Sequence, residues 1–164
     1  MMKNNDLLER FKAAMQDVCN GVVPTVAGEQ PRTGFVAYFA TAPNRTDLLT
    51  AQPLFYGPVV AEGRTNDSAK VVDWTRNAAE KVLRTVANWT HLSSWQSRRF
   101  DDRRYGGGVV VCLDGIYYGL AISGLPEHYD ESVVLTVLSM LGLIASGDIT
   151  QVLKVSANQT LQEV

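Results

Sequence analysis

The chain has 164 residues, of which 46% are hydrophobic and 20% charged, and fifteen basic against seventeen acidic residues leave a formal net charge of −2. This length is typical of one domain, and the composition is that of a globular chain rather than a disordered one. The small negative charge gives no overall attraction to nucleic acid or to an anionic membrane, so neither is expected as a partner.

Neither an apolar run long enough to span a bilayer nor a secretion signal is recognised in the sequence, so we expect a soluble, cytoplasmic protein. The two cysteines, Cys19 and Cys112, both adjoin apolar residues. Such thiols are reduced inside cells, and we expect both side chains to be buried as small hydrophobes.

The chain begins with a predicted helix. Apolar residues at three- and four-residue spacing indicate a helix over residues 5–20, with Gly21 as its end. Residues 22–32 contain two prolines and Gly28, and they are predicted to cross the domain without regular structure.

Two strands and a second helix follow. Aromatic and β-branched residues predict strands over residues 34–42 and 54–62. Pro58 indicates that the second one lies at a sheet edge or contains a bulge, because proline cannot donate a hydrogen bond to a neighbouring strand. Asp67 and Ser68 can cap a helix that runs to about Val86. Its predicted apolar face consists of Val71, Thr75, Ala78, Ala79, Val82 and Val86, widened by Val72 and Leu83.

The stretch 88–104 is the least regular, and a strand followed by a long loop is predicted there. Residues 107–113 and 116–122 then form a predicted hairpin, because the intervening Asp114-Gly115 is a signature of a tight two-residue turn. A helix follows Pro126, and Gly147 is expected to end it. A short strand is predicted over residues 149–155.

Strands that are neighbours in sequence and are joined by short turns favour an antiparallel sheet with helices packed on its faces. The sequence therefore predicts a single α+β domain. It covers residues 1–147, and residues 148–164 are expected to be a C-terminal extension.

The most distinctive run in the chain begins at Tyr105-Gly106-Gly107-Gly108 and continues through the predicted hairpin to Ser123-Gly124-Leu125-Pro126, after which Asp130 opens a helix. This order resembles the haem-degrading-domain (GlcG/HbpS-like) family, and most closely its short uncharacterised branch. The segments Asp73-Trp74-Thr75-Arg76-Asn77 and Ser93-Ser94 are similar to that branch as well.

The resemblance implies a profilin-like domain with an antiparallel sheet of about five strands, assembled into a homo-oligomer. Members are described as binding or degrading haem, and others look like enzymes of small metabolites. The short branch often has a histidine before its glycine pair and another after the aspartate, where this chain has Tyr105-Gly106 and Asp130-Glu131.

The candidate site surrounds the glycine run. Glycines let a ligand approach the backbone closely, and arginine binds carboxylates through two parallel hydrogen bonds. His128 beside Asp130 has the residue types of a general acid or base and its orienting carboxylate. We therefore predict the catalytic residues His128, Tyr105 and Asp130, and the substrate-binding residues Arg104, Gly106, Gly107, Gly108, Ser123, Arg76 and Trp95.

Structural roles compete with these assignments. They are a tight entry into the hairpin for the glycines, a solvated loop for the arginines, core or interface packing for the aromatic side chains and a surface position in the first turn of a helix for His128. No group of residues has metal-ligand spacing, and no metal site is predicted.

The resulting hypothesis is that the protein binds a small anionic or planar organic molecule. We expect it to transform that molecule by acid–base catalysis without a cofactor, as a lyase, isomerase or hydrolase type of enzyme. The alternatives are a haem-binding or haem-degrading protein, with a non-histidine ligand such as Tyr105, and a non-catalytic oligomeric interaction protein.

Overall fold

The computed structural model of the protein describes residues 3–26, 33–65, 68–88, 92–97 and 105–159. These residues form four α-helices and one antiparallel sheet of four strands, which confirms the α+β class. The helices are α1 (Asn4–Val26), α2 (Ser68–Ala87), α3 (Glu127–Met140) and α4 (Ser146–Ser156), and the strands are β1 (Gly34–Ala42), β2 (Phe55–Val60), β3 (Gly108–Leu113) and β4 (Ile116–Ser123).

The sheet has the strand order β2-β1-β4-β3, and all three pairings are antiparallel. Strand β1 lies inside the sheet, and all of its residues except Thr41 are buried. A strand that is buried on both faces reads as a nearly continuous apolar run, which is why its predicted bounds are correct.

Helices cover both faces of the sheet. On one face Phe35, Ala37 and Phe39 of β1 belong to a core that also contains apolar residues of α1 and α3. On the opposite face alternate β1 residues, among them Val36 and Tyr38, pack with α2. The alternation of side chains along a strand thus separates two cores, one on each side of β1.

The predicted hairpin is confirmed. Strands β3 and β4 pair from Gly108↔Ala121 to Leu113↔Ile116. Asp114 and Gly115 have φ of 52° and 80°, as a type I′ turn requires at both central positions. Pro58 lies on β2, which is an edge strand, as predicted.

Helix α2 agrees with its predicted extent, and Ala78, Val82 and Val86 are buried on its apolar face. Val72 does not widen that face, because 65% of its surface is exposed. The proposed cap residue Asp67 lies outside the described residues.

Helix α1 continues past Gly21, which contradicts the predicted end, and residues 22–26 are helical although Pro24 lies among them. Val23 on this extra turn is fully inaccessible in the core. Burying such a side chain contributes about 1.5–3 kcal/mol, which favours the continuation of the helix. The rest of the predicted crossing, residues 27–32, lies outside the described residues.

Helix α3 ends before Gly147, the predicted stop. Gly142 adopts a left-handed φ of 68°, and the Leu143 amide donates to Leu138 O at 2.9 Å. Together with the Gly142 amide bonding Ser139 O, this is a Schellman motif, which satisfies the last carbonyls of a helix.

The predicted strand over residues 149–155 is wrong, because these residues belong to α4. Ile149, Val152 and Leu153 recur at three- and four-residue spacing and pack on the α1/α3 core. β-branched residues favour strands, but here the helical period of the apolar positions decides the outcome.

The sheet has four strands rather than about five. At the free edge of β3, Ser93 forms a single bridge with Val109, and the Val110 amide donates to Leu92 O at 2.8 Å. Ser94–Ser97 then turn into a short 3₁₀ helix instead of continuing as a strand. The remainder of the predicted loop lies mostly outside the described residues.

The two cysteines differ. Cys19 is buried under β2, with its Sγ 3.8 Å from Val59 O, and burial raises the pKa of its thiol to about 11. Cys112 is exposed on β3, so the expectation that both are buried is wrong. Val110, on the same face of β3, is buried, so the cover on that face ends before Cys112.

The ring of Phe39 stacks on that of Phe11 at a centroid distance of 4.4 Å, and both side chains are fully buried. We expect Phe39→Ala to lower the free energy of unfolding by about 3–5 kcal/mol, because it leaves a cavity between α1 and the sheet. Urea denaturation measures the change. Val72→Ala, at an exposed position of α2, is the control and should stay within about 0.5 kcal/mol of the parent. A loss as small as the control's would contradict the assigned core.

Candidate functional site

A pocket of about 740 Å³ lies between α2 and the connection from β4 to α3. Trp74, Arg76, Glu80 and Lys81 line it from α2. Across from them the wall consists of Tyr105, Ser123, Gly124, Leu125, Glu127 and Asp130. The size is within the range of small-molecule sites, which is about 300–1,000 Å³.

A buried ion pair forms the inner wall of this pocket. Lys81 Nζ lies 3.0 Å from Asp130 Oδ2, and the two side chains are 1% and 3% exposed. The ammonium also donates to Ile122 O at 2.7 Å, and the Leu125 amide donates to Asp130 Oδ1 at 3.0 Å. Each charge is therefore both paired and hydrogen-bonded, as buried charges must be.

The glycine run makes room for this pair. A Cβ on Gly108 would lie 2.8 Å from Lys81 Cβ and 3.1 Å from its backbone carbon, and one on Gly107 would lie 2.7 Å from Asp130 Cβ. Gly107 also has a φ of 110°, which other residues rarely adopt. The glycines thus allow the start of β3 to approach α2 and α3 closely.

Backbone amides of the glycine run bond protein groups. The Gly106 amide donates to Glu127 Oε1 at 3.1 Å, and the Gly108 amide donates to Ser94 Oγ at 2.9 Å. A Cβ on Gly106 would lie 2.0 Å from the Trp95 ring. These contacts are structural, and they favour the tight hairpin entry over an anion-binding role for the three glycines.

Arg84 ties the same region to α2. It pairs with Glu80 through Nη1, while Nη2 donates to Ser94 O at 3.1 Å and to Tyr105 O. The arginine thereby fixes the backbone next to Tyr105 and neutralises one carboxylate of the pocket wall.

The open side of the pocket has a cationic side chain for which no ion pair is described. Among the residues that the structure describes, Arg76 forms no ion pair, and its side chain is exposed. A guanidinium in this position is suited to bind a carboxylate through two parallel hydrogen bonds.

A second buried cluster lies on the side of α3 that faces α4. The Glu131 carboxylate, which is fully buried, accepts hydrogen bonds from the Ser156 hydroxyl, from Asn158 Nδ2 at 3.2 Å and from Ser93 Oγ at 3.4 Å. Burial raises the pKa of Glu131, and these hydrogen bonds and the nearby His128 oppose that shift only in part. The cluster fastens α4 to α3.

His128 belongs to this second cluster and does not line the pocket. Its ring stacks on Trp95 at a centroid distance of 4.7 Å, and its Nε2 lies 3.1 Å from Ser156 O. A carbonyl oxygen only accepts hydrogen bonds, so Nε2 is the protonated nitrogen.

The structure brings some of the predicted site residues together and separates others. Tyr105, Asp130, Ser123 and Arg76 line the pocket. The pocket lining does not include His128, Trp95, Gly106, Gly107 and Gly108. Arg104 lies outside the described residues.

Sequence reasoning missed Lys81, which lies on the covered side of α2 between Ala78 and Val82. The available signal was its position in the helical turn that also contains the buried residues Ala78 and Val82. The helical period predicts that a residue at this position is buried, but it does not reveal the charged partner, because Asp130 is 49 residues away in the chain.

Among the described residues no three His, Cys, Asp or Glu side chains are grouped as metal ligands. None of the described helices is both long enough and apolar enough to cross a bilayer. No protein-family model, curated protein sequence or solved structure matches the chain. The family resemblance and the homo-oligomer that it implies therefore stay predictions.

The glycine contacts give a first test of the site. We expect Gly108→Ala to lower the free energy of unfolding by about 1–3 kcal/mol, because the methyl group overlaps Lys81 next to its backbone. Gly21→Ala is the matched control, since nothing lies within 4 Å of its added Cβ and the residue is in a helix. It should raise stability by about 0.5–1 kcal/mol. Chemical denaturation of both variants checks the opposite signs, and a neutral Gly108→Ala would contradict the close approach.

Glu131 gives a pH-dependent test. The pKa of Glu131 is raised in the folded state, so as pH rises the unfolded chain loses this proton at a lower pH than the folded chain does. The free energy of unfolding therefore falls as pH rises from the ordinary pKa of a glutamate to the raised pKa of Glu131. Glu131→Gln stays uncharged and keeps a carbonyl for Ser156 and Asn158. Its stability relative to the parent should therefore increase from about pH 4 upward.

Denaturant titrations at a series of pH values measure that difference. Glu9→Gln is the control, and its effect on the pH profile of stability should be much smaller, because the exposed ion pair of Glu9 with Lys12 contributes little. A constant difference between Glu131→Gln and the parent at every pH would show that the Glu131 proton does not contribute.

Proposed function

We propose that the protein binds a small planar organic molecule in the pocket between α2 and the β4–α3 connection and transforms it with its own acid–base groups. The observation that carries this proposal is the buried Lys81–Asp130 pair in the pocket wall. Desolvated, prepositioned polar groups at the end of a pocket are typical of binding and catalytic sites.

The shape and chemistry of the lining support a planar ligand. Trp74 and Tyr105 both line the pocket and are partly buried, so each offers aromatic surface for stacking. Arg76 at the mouth suits a carboxylate on the outer end of the ligand. Tyr105 also brings a hydroxyl that can donate or accept a proton.

The charges argue against a ligand that is anionic throughout. Asp73 lines the pocket beside Arg76, while the charge of Asp130 is balanced by Lys81 and that of Glu80 by Arg84. A ligand with one carboxylate near Arg76 and an uncharged body avoids the Asp73 carboxylate.

The haem alternative would use the same pocket, because Tyr105, its candidate ligand, lies there. A porphyrin presents two broad apolar faces, whereas the inner wall here is an ion pair. An apolar porphyrin face would displace water from these charged groups without forming hydrogen bonds to them, and that desolvation is unfavourable. The pocket lining therefore favours the smaller polar ligand.

The proposal is tested with 4-acetylbenzoate, a planar carboxylate of suitable size, by isothermal titration calorimetry. We expect the parent to bind it and Trp74→Ala to weaken binding about three- to tenfold, because the variant loses a stacking surface. A hemin titration in parallel, read from the Soret band, tests the alternative.

Val72→Ala, on the exposed side of the same helix, is the control and should bind as the parent does. Thermal unfolding of each variant verifies that the fold is kept. Undiminished binding by a folded Trp74→Ala, or no binding by the parent at millimolar ligand, would contradict the proposed pocket.

A further inference from the structure

We propose that the Lys81 ammonium binds a carbonyl oxygen of the ligand at the inner end of the pocket, so that the substrate class is a planar molecule with a carbonyl at one end and a carboxylate at the other. The inference rests on the proposed function, and it assigns a ligand-binding role to a residue on the covered side of α2.

The hydrogen-bond count of Lys81 leads to this inference. An ammonium carries three protons and accepts none. Within the described part of the chain its acceptors are Ile122 O at 2.7 Å and Asp130 Oδ2 at 3.0 Å, which leaves one proton without an acceptor. Lys81 lines the pocket and is 1% exposed, so this proton has little access to bulk water, and an acceptor oxygen of a ligand would complete the hydrogen bonds of the ammonium.

The surrounding charges select an uncharged acceptor. Asp130 already balances the positive charge of Lys81. A second anion at the ammonium would therefore meet the Asp130 carboxylate, and a cation would meet Lys81 itself. A carbonyl oxygen accepts the hydrogen bond without adding charge.

Asp130 is a positioning residue in this arrangement. Its Oδ1 accepts the Leu125 amide at 3.0 Å and its Oδ2 accepts from Lys81, so the carboxylate orients the ammonium between β4 and α3. Its own contacts are with protein groups, and its contribution to ligand binding passes through Lys81.

Two probes isolate the carbonyl oxygen. They are 4-acetylbenzoate and 4-isopropenylbenzoate, which share the ring, the carboxylate and the number of heavy atoms but differ in having C=O or C=CH₂. We expect the parent to bind the acetyl compound about tenfold more tightly, since a hydrogen bond from a desolvated ammonium has that effect. Isothermal titration of both compounds measures the ratio.

The double variant Lys81→Met/Asp130→Asn removes the hydrogen-bond donor together with its counter-charge. Removing one partner would leave a buried unpaired charge, whereas replacing both with uncharged side chains of similar volume is often tolerated. In this variant the preference for the acetyl compound should fall to within about twofold. Val72→Ala should keep the tenfold ratio.

A measurement on the parent protein covers the case in which the double variant does not fold. Buried ammonium protons exchange slowly, so the Lys81 Nζ resonance can be followed by ¹⁵N NMR. It should shift on addition of 4-acetylbenzoate and remain nearly unchanged with 4-isopropenylbenzoate.

Each outcome decides between the two proposals. Equal affinities for the two probes, a preference that persists in the folded double variant, or an unchanged Nζ resonance would overturn the role of Lys81 and leave the pocket in place. No binding of either probe by the parent would overturn the pocket as well.

Discussion

The buried ion pair between Lys81 and Asp130 is the constraint around which this end of the domain is built. Removing two charges from water costs several kcal/mol per ion, and the fold retains them only by giving each a partner and further hydrogen bonds. Lys81 comes from the helix on one face of the sheet and Asp130 from a helix on the other. The pair therefore joins the two layers where β4 ends, and the backbone at Ile122 and Leu125 is held in place by the same atoms.

The glycine run and Arg84 follow from that constraint. Lys81 can reach Asp130 only because Gly107 and Gly108 have no side chains between α2 and α3. Arg84, one turn further along α2, bonds the carbonyls of Ser94 and Tyr105 and fixes the segments that lead into β3. The wall of the pocket is thus held by buried hydrogen bonds rather than by a surface loop. Such preorganisation reduces the entropy that a ligand loses on binding.

The sequence predicts most of the fold but little of the site, and the reason is the range of the interactions. Strand β1, the hairpin at Asp114-Gly115 and α2 are encoded by neighbours in the chain, and all three agree with the structure. Residues 149–155, which are predicted as a strand, instead belong to α4, where a short helical period of apolar residues packs on the core. The pocket wall depends on a contact between residues 49 positions apart, Lys81 with Asp130, and the second cluster on one between residues 38 positions apart, Ser93 with Glu131. Such long-range partners cannot be predicted from the spacing of neighbouring residues.

Asp130 and Glu131 show how two adjacent carboxyl groups acquire different roles. Asp130 is paired with an ammonium and lines the pocket. Glu131 faces hydroxyl and amide groups instead, and burial raises the pKa of its carboxyl. Environment rather than residue type thus divides α3 into a side that faces the pocket and a side that fastens α4. His128 lies on the fastening side, where its Nε2 bonds Ser156 O. Tyr105 and the Lys81–Asp130 pair therefore line the pocket, whereas His128 does not.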